Sequence, residues 1–477
     1  MQRLLFAPIL AGLLVGQSSA QVDDLLDDIL GDEPVLLSKD GQDEEDGLDD
    51  FGLDELLGGG DLESGEASGV PDALREWKGF VEMRPRRYLE DRGGPKHDEQ
   101  WILEAELELD FRLGESLSGY FRPRVYLDLF DGELSRFAPY EAYVTKVGDD
   151  WDLRAGQFVE NWGIVDTYNP IDVVSRRDLA TDFLNAERLG EIGLRYRRFL
   201  DGGEVIGEPT VSLYVLPVWQ ATEFPPDDQR FGFGSSASPF NESRGFEPHG
   251  SERAFYAMRF ASTVSSAPLN ADVQFLLSHG PERMPGVAMV GSELVPAYFG
   301  ATTVGLGFRA VPNQDVAGDL LSTLTFKAEV AYKNPSAFDD SPIESPDDYV
   351  AYVLGLDRDF YGLAGEQDQL TLMLEYAGEE GADGDPIGDL RPFRDDLIVR
   401  AFYQPHDFAR TTYEARGIYD LETDEVIYEL LYTRQLRSLS ENIKFIAQLQ
   451  GFDTGGEGLF DFFPDNTSIA LGLRLDF

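Results

Sequence analysis

The 477-residue chain contains no cysteine. That absence excludes a disulfide framework, thiolate-held zinc, iron–sulfur clusters and a cysteine nucleophile. It also excludes a lipoprotein anchor, which is attached through a cysteine that follows the signal. Histidine is scarce, with four residues at 97, 249, 279 and 406, so a histidine-rich metal site has little material and no cofactor is expected. Basic residues are few beside the acids, 39 against 89, for a formal net charge of −50. Phosphates would be repelled, so nucleic acid is excluded as a partner. Beyond the first residues there is no apolar run long enough for a membrane-spanning helix. What is plentiful is aromatic and small: 32 Phe, 20 Tyr and 49 Gly. This is the make-up of a folded all-β protein.

Residues 1–20 open with Arg3, run apolar from Leu4 to Val15 and end on Ser18-Ser19-Ala20. Such a run, too short to span comfortably and closed by small residues, predicts a secretory signal cleaved after Ala20. Residues 21–74 carry 19 acidic side chains and one basic, Lys39. Self-repulsion and low apolar content predict a disordered, acidic, low-complexity segment on the periplasmic side. Within it Leu25, Leu26, Ile29 and Leu30 fall at helical spacing, as do Leu53, Leu56 and Leu57. These are nascent turns in a solvated spacer or apolar anchors for a periplasmic partner. The ligand order of an EF-hand is absent, and no calcium site is read here.

From residue 75 onward the hydrophobic period is two. Trp101, Leu103, Ala105, Leu107, Leu109, Phe111 and Leu113 share one face of a strand, and Glu104, Glu106, Glu108, Asp110 and Arg112 the other. A helix would scatter both sets. The same alternation predicts eighteen strands, near 76–84, 100–112, 117–129, 138–146, 150–158, 190–199, 209–217, 253–263, 271–279, 300–310, 322–332, 349–358, 368–377, 396–404, 411–421, 424–435, 441–451 and 467–477. Connections alternate between short turns and long loops, as in an outer-membrane barrel. The fold class is therefore a transmembrane antiparallel β-barrel of 16–18 strands, 18 preferred, over residues 75–477. An even count puts both barrel ends on the periplasmic side.

The last ten residues sharpen this reading. Ile469, Leu471, Leu473, Leu475 and Phe477 alternate with Ser468, Ala470, Gly472, Arg474 and Asp476, and the chain stops on Phe477. That pattern resembles the C-terminal strand that barrel-assembly machinery reads in Gram-negative outer-membrane proteins, with Phe477 as the signal. No repeat of 20–50 residues supports a solenoid or propeller.

If the apolar faces point to lipid, the inward faces carry Arg122, Arg124, Glu191, Arg195, Arg197, Lys327, Glu329, Glu375, Arg400, Glu414, Arg416, Glu429, Lys444 and Arg474. Ionisable groups at membrane depth must line water or pair with one another. These are the candidate pore-lining residues, serving as bracing ion pairs, as a selectivity field, or as both.

The largest break in the strand period is 156–189. Its loop gathers Glu160, Trp162, Asp166, Asp172, Arg176, Arg177 and Asp178, and loops of that length are seldom idle. Here Gly156-Gln157, Trp162-Gly163, Asp166 and Asn169-Pro170-Ile171-Asp172 resemble porin-like outer-membrane barrels of the alginate-export and phosphate-selective-porin kind and their uncharacterised relatives. Glu141-Ala142-Tyr143-Val144 and Glu329-Val330-Ala331-Tyr332 fit the same pattern. The resemblance covers residues 76–477. It implies a passive channel of the eighteen-strand type, with this loop packed at the mouth or folded inward as a constriction. It implies nothing about the acidic segment or the solute.

There is no Gly-x-Ser-x-Gly elbow, and His97 and His406 fall in turns or loops, so an enzyme is not expected. The expected function is passive diffusion of small hydrophilic solutes, anions included, through the outer membrane. The alternative is a component of an export or envelope-assembly complex whose residues 21–74 hold a periplasmic partner. Expected surroundings are outer-membrane lipid, lipopolysaccharide and the barrel-assembly machinery.

Overall fold

The computed structural model describes residues 74–90, 98–129, 135–180, 185–227, 229–233, 238–266, 268–313, 323–338, 344–365, 367–381, 393–454, 463 and 466–477. The expected signal sequence over residues 1–20, the acidic segment up to residue 73 and His97 lie outside them.

The first five strands are β1 (Leu74–Tyr88), β2 (Glu99–Arg112), β3 (Leu117–Asp128), β4 (Arg136–Val147) and β5 (Trp151–Phe158). A loop follows that holds a small ribbon, β6 (Arg176–Asp178) and β7 (Glu187–Leu189). Then come β8 (Glu191–Phe199), β9 (Ile206–Leu216), β10 (Phe255–Ser266) and β11 (Leu269–Pro281). Another loop carries the hairpin β12 (Gly286–Val290) and β13 (Glu293–Ala297). The remainder are β14 (Gly300–Pro312), β15 (Leu324–Ser336), β16 (Tyr349–Tyr361), β17 (Gln369–Glu380), β18 (Asp395–Gln404), β19 (Thr412–Asp420), β20 (Val426–Gln435), β21 (Ile443–Asp453) and β22 (Ser468–Asp476).

Eighteen of these strands form one antiparallel sheet, each paired with its neighbours in sequence. β1 also pairs with β22, Glu82 opposite Arg474, which closes the sheet on itself. Closure satisfies every strand edge within the wall. The seam is extended by Phe477, whose amide donates to Gly79 O at 2.9 Å and whose carbonyl accepts from Gly79 N at 2.8 Å. The eighteen-strand expectation therefore holds over sixteen, and the first strand runs Leu74–Tyr88 where 76–84 was expected.

The period of two becomes two different faces. Outside, Leu194, Leu213, Leu306, Leu354, Leu374, Val399, Leu430 and Leu471 remain exposed. Inside, Glu82, Glu104, Glu106, Arg195, Glu329, Glu375 and Glu429 are buried. An apolar exterior around a charged interior is inverted relative to a water-soluble protein and is the pattern of a barrel in lipid. The β6–β7 ribbon and the β12–β13 hairpin were not foreseen. They lie within stretches expected to be loop, and pair in pieces of three and five residues that are too short to show a period.

Candidate functional site

The loop after β5 folds into the barrel. At its root Glu160 is held by the wall: Arg195 Nη1 donates to Oε1 at 2.8 Å and the Tyr214 hydroxyl to Oε2 at 3.0 Å. Ser175 closes the loop on itself, accepting from Glu160 N at 3.0 Å and donating to Glu160 O at 3.1 Å. Trp162 is fully buried against Tyr214, ring centroids 5.1 Å apart, with Phe158, Ile171, Val174 and Leu276 in the same cluster. Burying side chains of this size contributes roughly 1.5–3 kcal/mol each, so the loop is packed as a core element.

Two wall carboxylates then fasten the loop backbone. Glu329 of β15 accepts from Ile164 N, from Val165 N at 3.1 Å and from Ile171 N at 3.4 Å. With its amide turned to donate, Asn169 reaches the same carboxylate at 3.1 Å and Val165 O at 2.9 Å. Glu375 of β17 accepts from Asp166 N at 2.7 Å and Thr167 N at 3.1 Å. Asp166 itself pairs with Lys327 at 2.5 Å, and Lys327 also pairs with Asp357. The approach is close because β14 has glycines there. A Cβ on Gly305 would lie 2.8 Å from Ile171, and one on Gly307 2.8 Å from Ile164.

The far part of the loop meets the opposite wall. Asp178 pairs with Arg136 and accepts from the Tyr140 hydroxyl at 2.7 Å, both on β4. Glu187 pairs with Arg124 of β3. Asn185 donates to Glu429 of β20 at 3.1 Å and accepts from Arg416 of β19 at 2.8 Å. Within the loop, Asp172 binds Arg177 at 2.9 Å and Arg188 at 2.6 Å, bracing the ribbon. Arg176 reaches Glu191 at 3.7 Å and Glu223 at 3.0 Å. Arg283, just past β11, faces Glu191 at 3.3 Å. Its burial pushes the guanidinium below its ordinary pKa, while Glu191 pulls the other way. The loop thus crosses the interior and is bonded on both sides.

A second layer lies toward the long-loop end. Phe224, Phe231 and Phe233, from the connection between β9 and β10, pack with Phe463 and with wall residues Val353, Ile398, Ile418 and Ile427. Phe231 is 5.5 Å from Phe452, and the Arg230 guanidinium is 4.9 Å from the ring of Tyr88. This connection therefore reaches from β9 across the mouth to β1 and β21.

All fourteen inward candidates occupy the interior face. Beyond those already placed, Arg122 pairs with Glu106 at 2.9 Å, Arg197 with Asp152 at 2.6 Å and Arg400 with Glu414 at 2.7 Å. Arg416 also pairs with Glu429 at 2.7 Å. Lys444 and Arg474 sit apart from the loop, near the short-turn end, where both pair with Asp476, at 2.8 and 2.7 Å. Sequence reasoning missed several inward arginines: Arg84 pairs with Glu82 at 2.5 Å and Arg86 donates to Gln448 at 3.3 Å, whereas Arg154, Arg259 and Arg309 form no ion pair with a described residue. Arg154 lies 4.0 Å from the Tyr143 ring, and Arg259 donates to Gln274 at 2.8 Å. Arg154 and Arg259 fall at the same parity as the inward residues of their strands, a signal that was available. Among the described residues no cluster of three or more His, Asp or Glu could hold a metal.

No family model matches the chain, and no curated protein matches its sequence. Solved structures share its general outline. Wzi of Escherichia coli, described as a carbohydrate-binding barrel involved in Group 1 capsule assembly, aligns at 12% identity over 84% of each chain with a TM-score of 0.48. OccK11 of Pseudomonas aeruginosa aligns at 11% identity over 85% of this chain and 96% of its own, TM-score 0.47. A loop-deleted OmpT of Vibrio cholerae aligns at 9% identity over 85% and 100%, TM-score 0.40. None of these similarities assigns an activity, a solute or a partner to this chain.

Proposed function

We propose that this chain is a Gram-negative outer-membrane channel that passes small hydrophilic solutes by diffusion, with residues 159–180 and 185–190 forming a fixed constriction. The observation that carries the reading is the loop itself, bonded to Glu329 and Glu375 on one side and to β3 and β4 on the other. A segment held this way narrows the passage without closing and reopening in each cycle. Trp162, Asp166, Asp172, Arg176, Arg177 and Asp178 build the constriction. Arg122, Arg124, Arg195, Arg197, Lys327, Glu329, Arg400, Arg416, Lys444 and Arg474 line the passage. Most of these charges are paired, and the carboxylates of Glu329 and Glu375 are covered by the loop amides they accept, so that Arg154, Arg259 and Arg309, which pair with no described acid, tilt the field met by the solute toward anions. Residues 1–20 direct export, residues 21–74 stay in the periplasm and Phe477 addresses the barrel-assembly machinery.

Planar-bilayer recording of the purified barrel tests the proposal. A small, steady single-channel conductance with an anion-favouring reversal potential in a salt gradient is expected. A silent barrel would overturn it.

A further inference from the structure

The outer wall carries a feature the channel does not use. Across β18–β22 the outward residues form two adjacent rows. Tyr403, Tyr413 and Tyr432 face one another across the strands in the row nearer the short turns. Their rings stand 6.1 and 5.2 Å apart, and Phe445 continues the line 6.3 Å from Tyr432. In the next row Ala401 and Ala415 precede Leu430, Leu449 and Ile469. The small side chains leave a groove of about 480 Å³, lined by these residues and Ala447. Gly417 extends the floor, with open space where a Cβ would stand.

Two guanidinium groups stand at the foot of the groove, with the Asp407 carboxylate beside them in the same turn as Arg410. Arg434 follows Tyr432 on the same outward face, and Arg410 lies in the turn just before β19. Both side chains are exposed and neither forms an ion pair with a described residue, Asp407 being within electrostatic reach of Arg434 but not bonded to it. The two most exposed large hydrophobic side chains among the described residues, Phe408 at 79% and Leu439 at 72%, project from the two turns beneath this sector. Phe408 packs 4.2 Å from the Arg437 guanidinium, joining those turns. Apolar groove, aromatic row and exposed guanidinium groups thus follow one another in the order of acyl chain, interface and headgroup.

We propose that this groove seats one phospholipid of the leaflet at the short-turn end. Its acyl chain lies over Ala401, Ala415 and Ala447, and its phosphate is held by Arg434 and Arg410. The free hydroxyls of Tyr413 and Tyr432 sit at ester depth. A second copy of the chain fits poorly, because a convex barrel wall would leave the recess unfilled. The inference rests on the barrel spanning a membrane and is independent of whether it conducts.

Native mass spectrometry of the full chain, released from micelles with phosphatidylglycerol added, tests it. The wild type should retain one lipid per barrel. Ala415→Trp, which fills the groove, and Arg434→Glu, which reverses its charge, should each lower retention at least tenfold. Leu354→Trp, outward on β16, should leave it unchanged. Equal retention in all four proteins, no retained lipid, or a dimer abolished by Ala415→Trp would overturn the proposal. A chain that never entered micelles would instead remove the membrane reading beneath it.

Discussion

The paired substitution Glu329→Gln with Glu375→Gln releases the interior loop from β15 and β17. In the native protein Glu329 accepts three backbone amides and Glu375 two. Both oxygens of each carboxylate act as acceptors, and hydrogen bonds to a charged group contribute about 1.5–3 kcal/mol each. Glutamine keeps one acceptor oxygen and turns an NH₂ toward an amide that also donates. Glu329→Gln therefore loses one bond and the charge assistance of the others, about 3 kcal/mol, and Glu375→Gln about 2 kcal/mol. A total near 5 kcal/mol raises the detached population by about three and a half orders of magnitude. The root of the loop stays packed, because Glu160 and Trp162 keep their wall partners. Single-channel recording should show the steady native level replaced by flickering among larger sub-levels. A trace as quiet as the wild type at the same conductance would refute the pinning argument.

Further outcomes follow from the same geometry. Gly305→Val places a Cβ 2.8 Å from Ile171, an overpacking cost of roughly 1–3 kcal/mol that should lower the thermal midpoint of the detergent-solubilised barrel. The absence of native cysteine makes Gly305→Cys with Ile171→Cys a clean probe, and mild oxidation should join loop to wall in the folded protein while leaving the unfolded chain uncoupled. Leu471→Arg, outward and half-exposed, should cost about 2–4 kcal/mol in bilayer, read as a fall in the compact, heat-modifiable form on a gel. Deleting Phe477 removes both seam bonds to Gly79 and should lower the assembled fraction in the same assay.

Much of the wall was legible because the period of two reports which face of a strand meets which solvent. Trp101 to Leu113 displays this most plainly, with leucines outward and carboxylates inward. The alternation of turns and loops then supplied the strand count. Partners were not legible, since pairing is set by register across neighbours far apart in the chain. Nothing local says that Glu329 receives the amides of Ile164 and Ile171, or that Arg124 finds Glu187. The singular loop was visible as a break in period at Trp162-Gly163, yet its inward course depends on glycines of β14. Gly305 and Gly307 sit where a strand would ordinarily carry an inward side chain, and the space they vacate is taken by Ile171 and Ile164. Arg154 and Arg309 show the complementary gap. Each lies inward by parity, and only the folded wall reveals that neither forms an ion pair with a described residue.

The central claim is that a loop crossing the barrel interior sets the passage. Removing residues 165–185 and recording single channels from the shortened and full-length proteins in the same bilayer tests it most directly. The deletion takes away the bonds to Glu375, Lys327, Arg136 and Tyr140 and leaves the eighteen wall strands intact. The account predicts a conductance several times that of the full-length barrel, with weaker discrimination between anions and cations. An unchanged conductance from a correctly assembled deletion would contradict it.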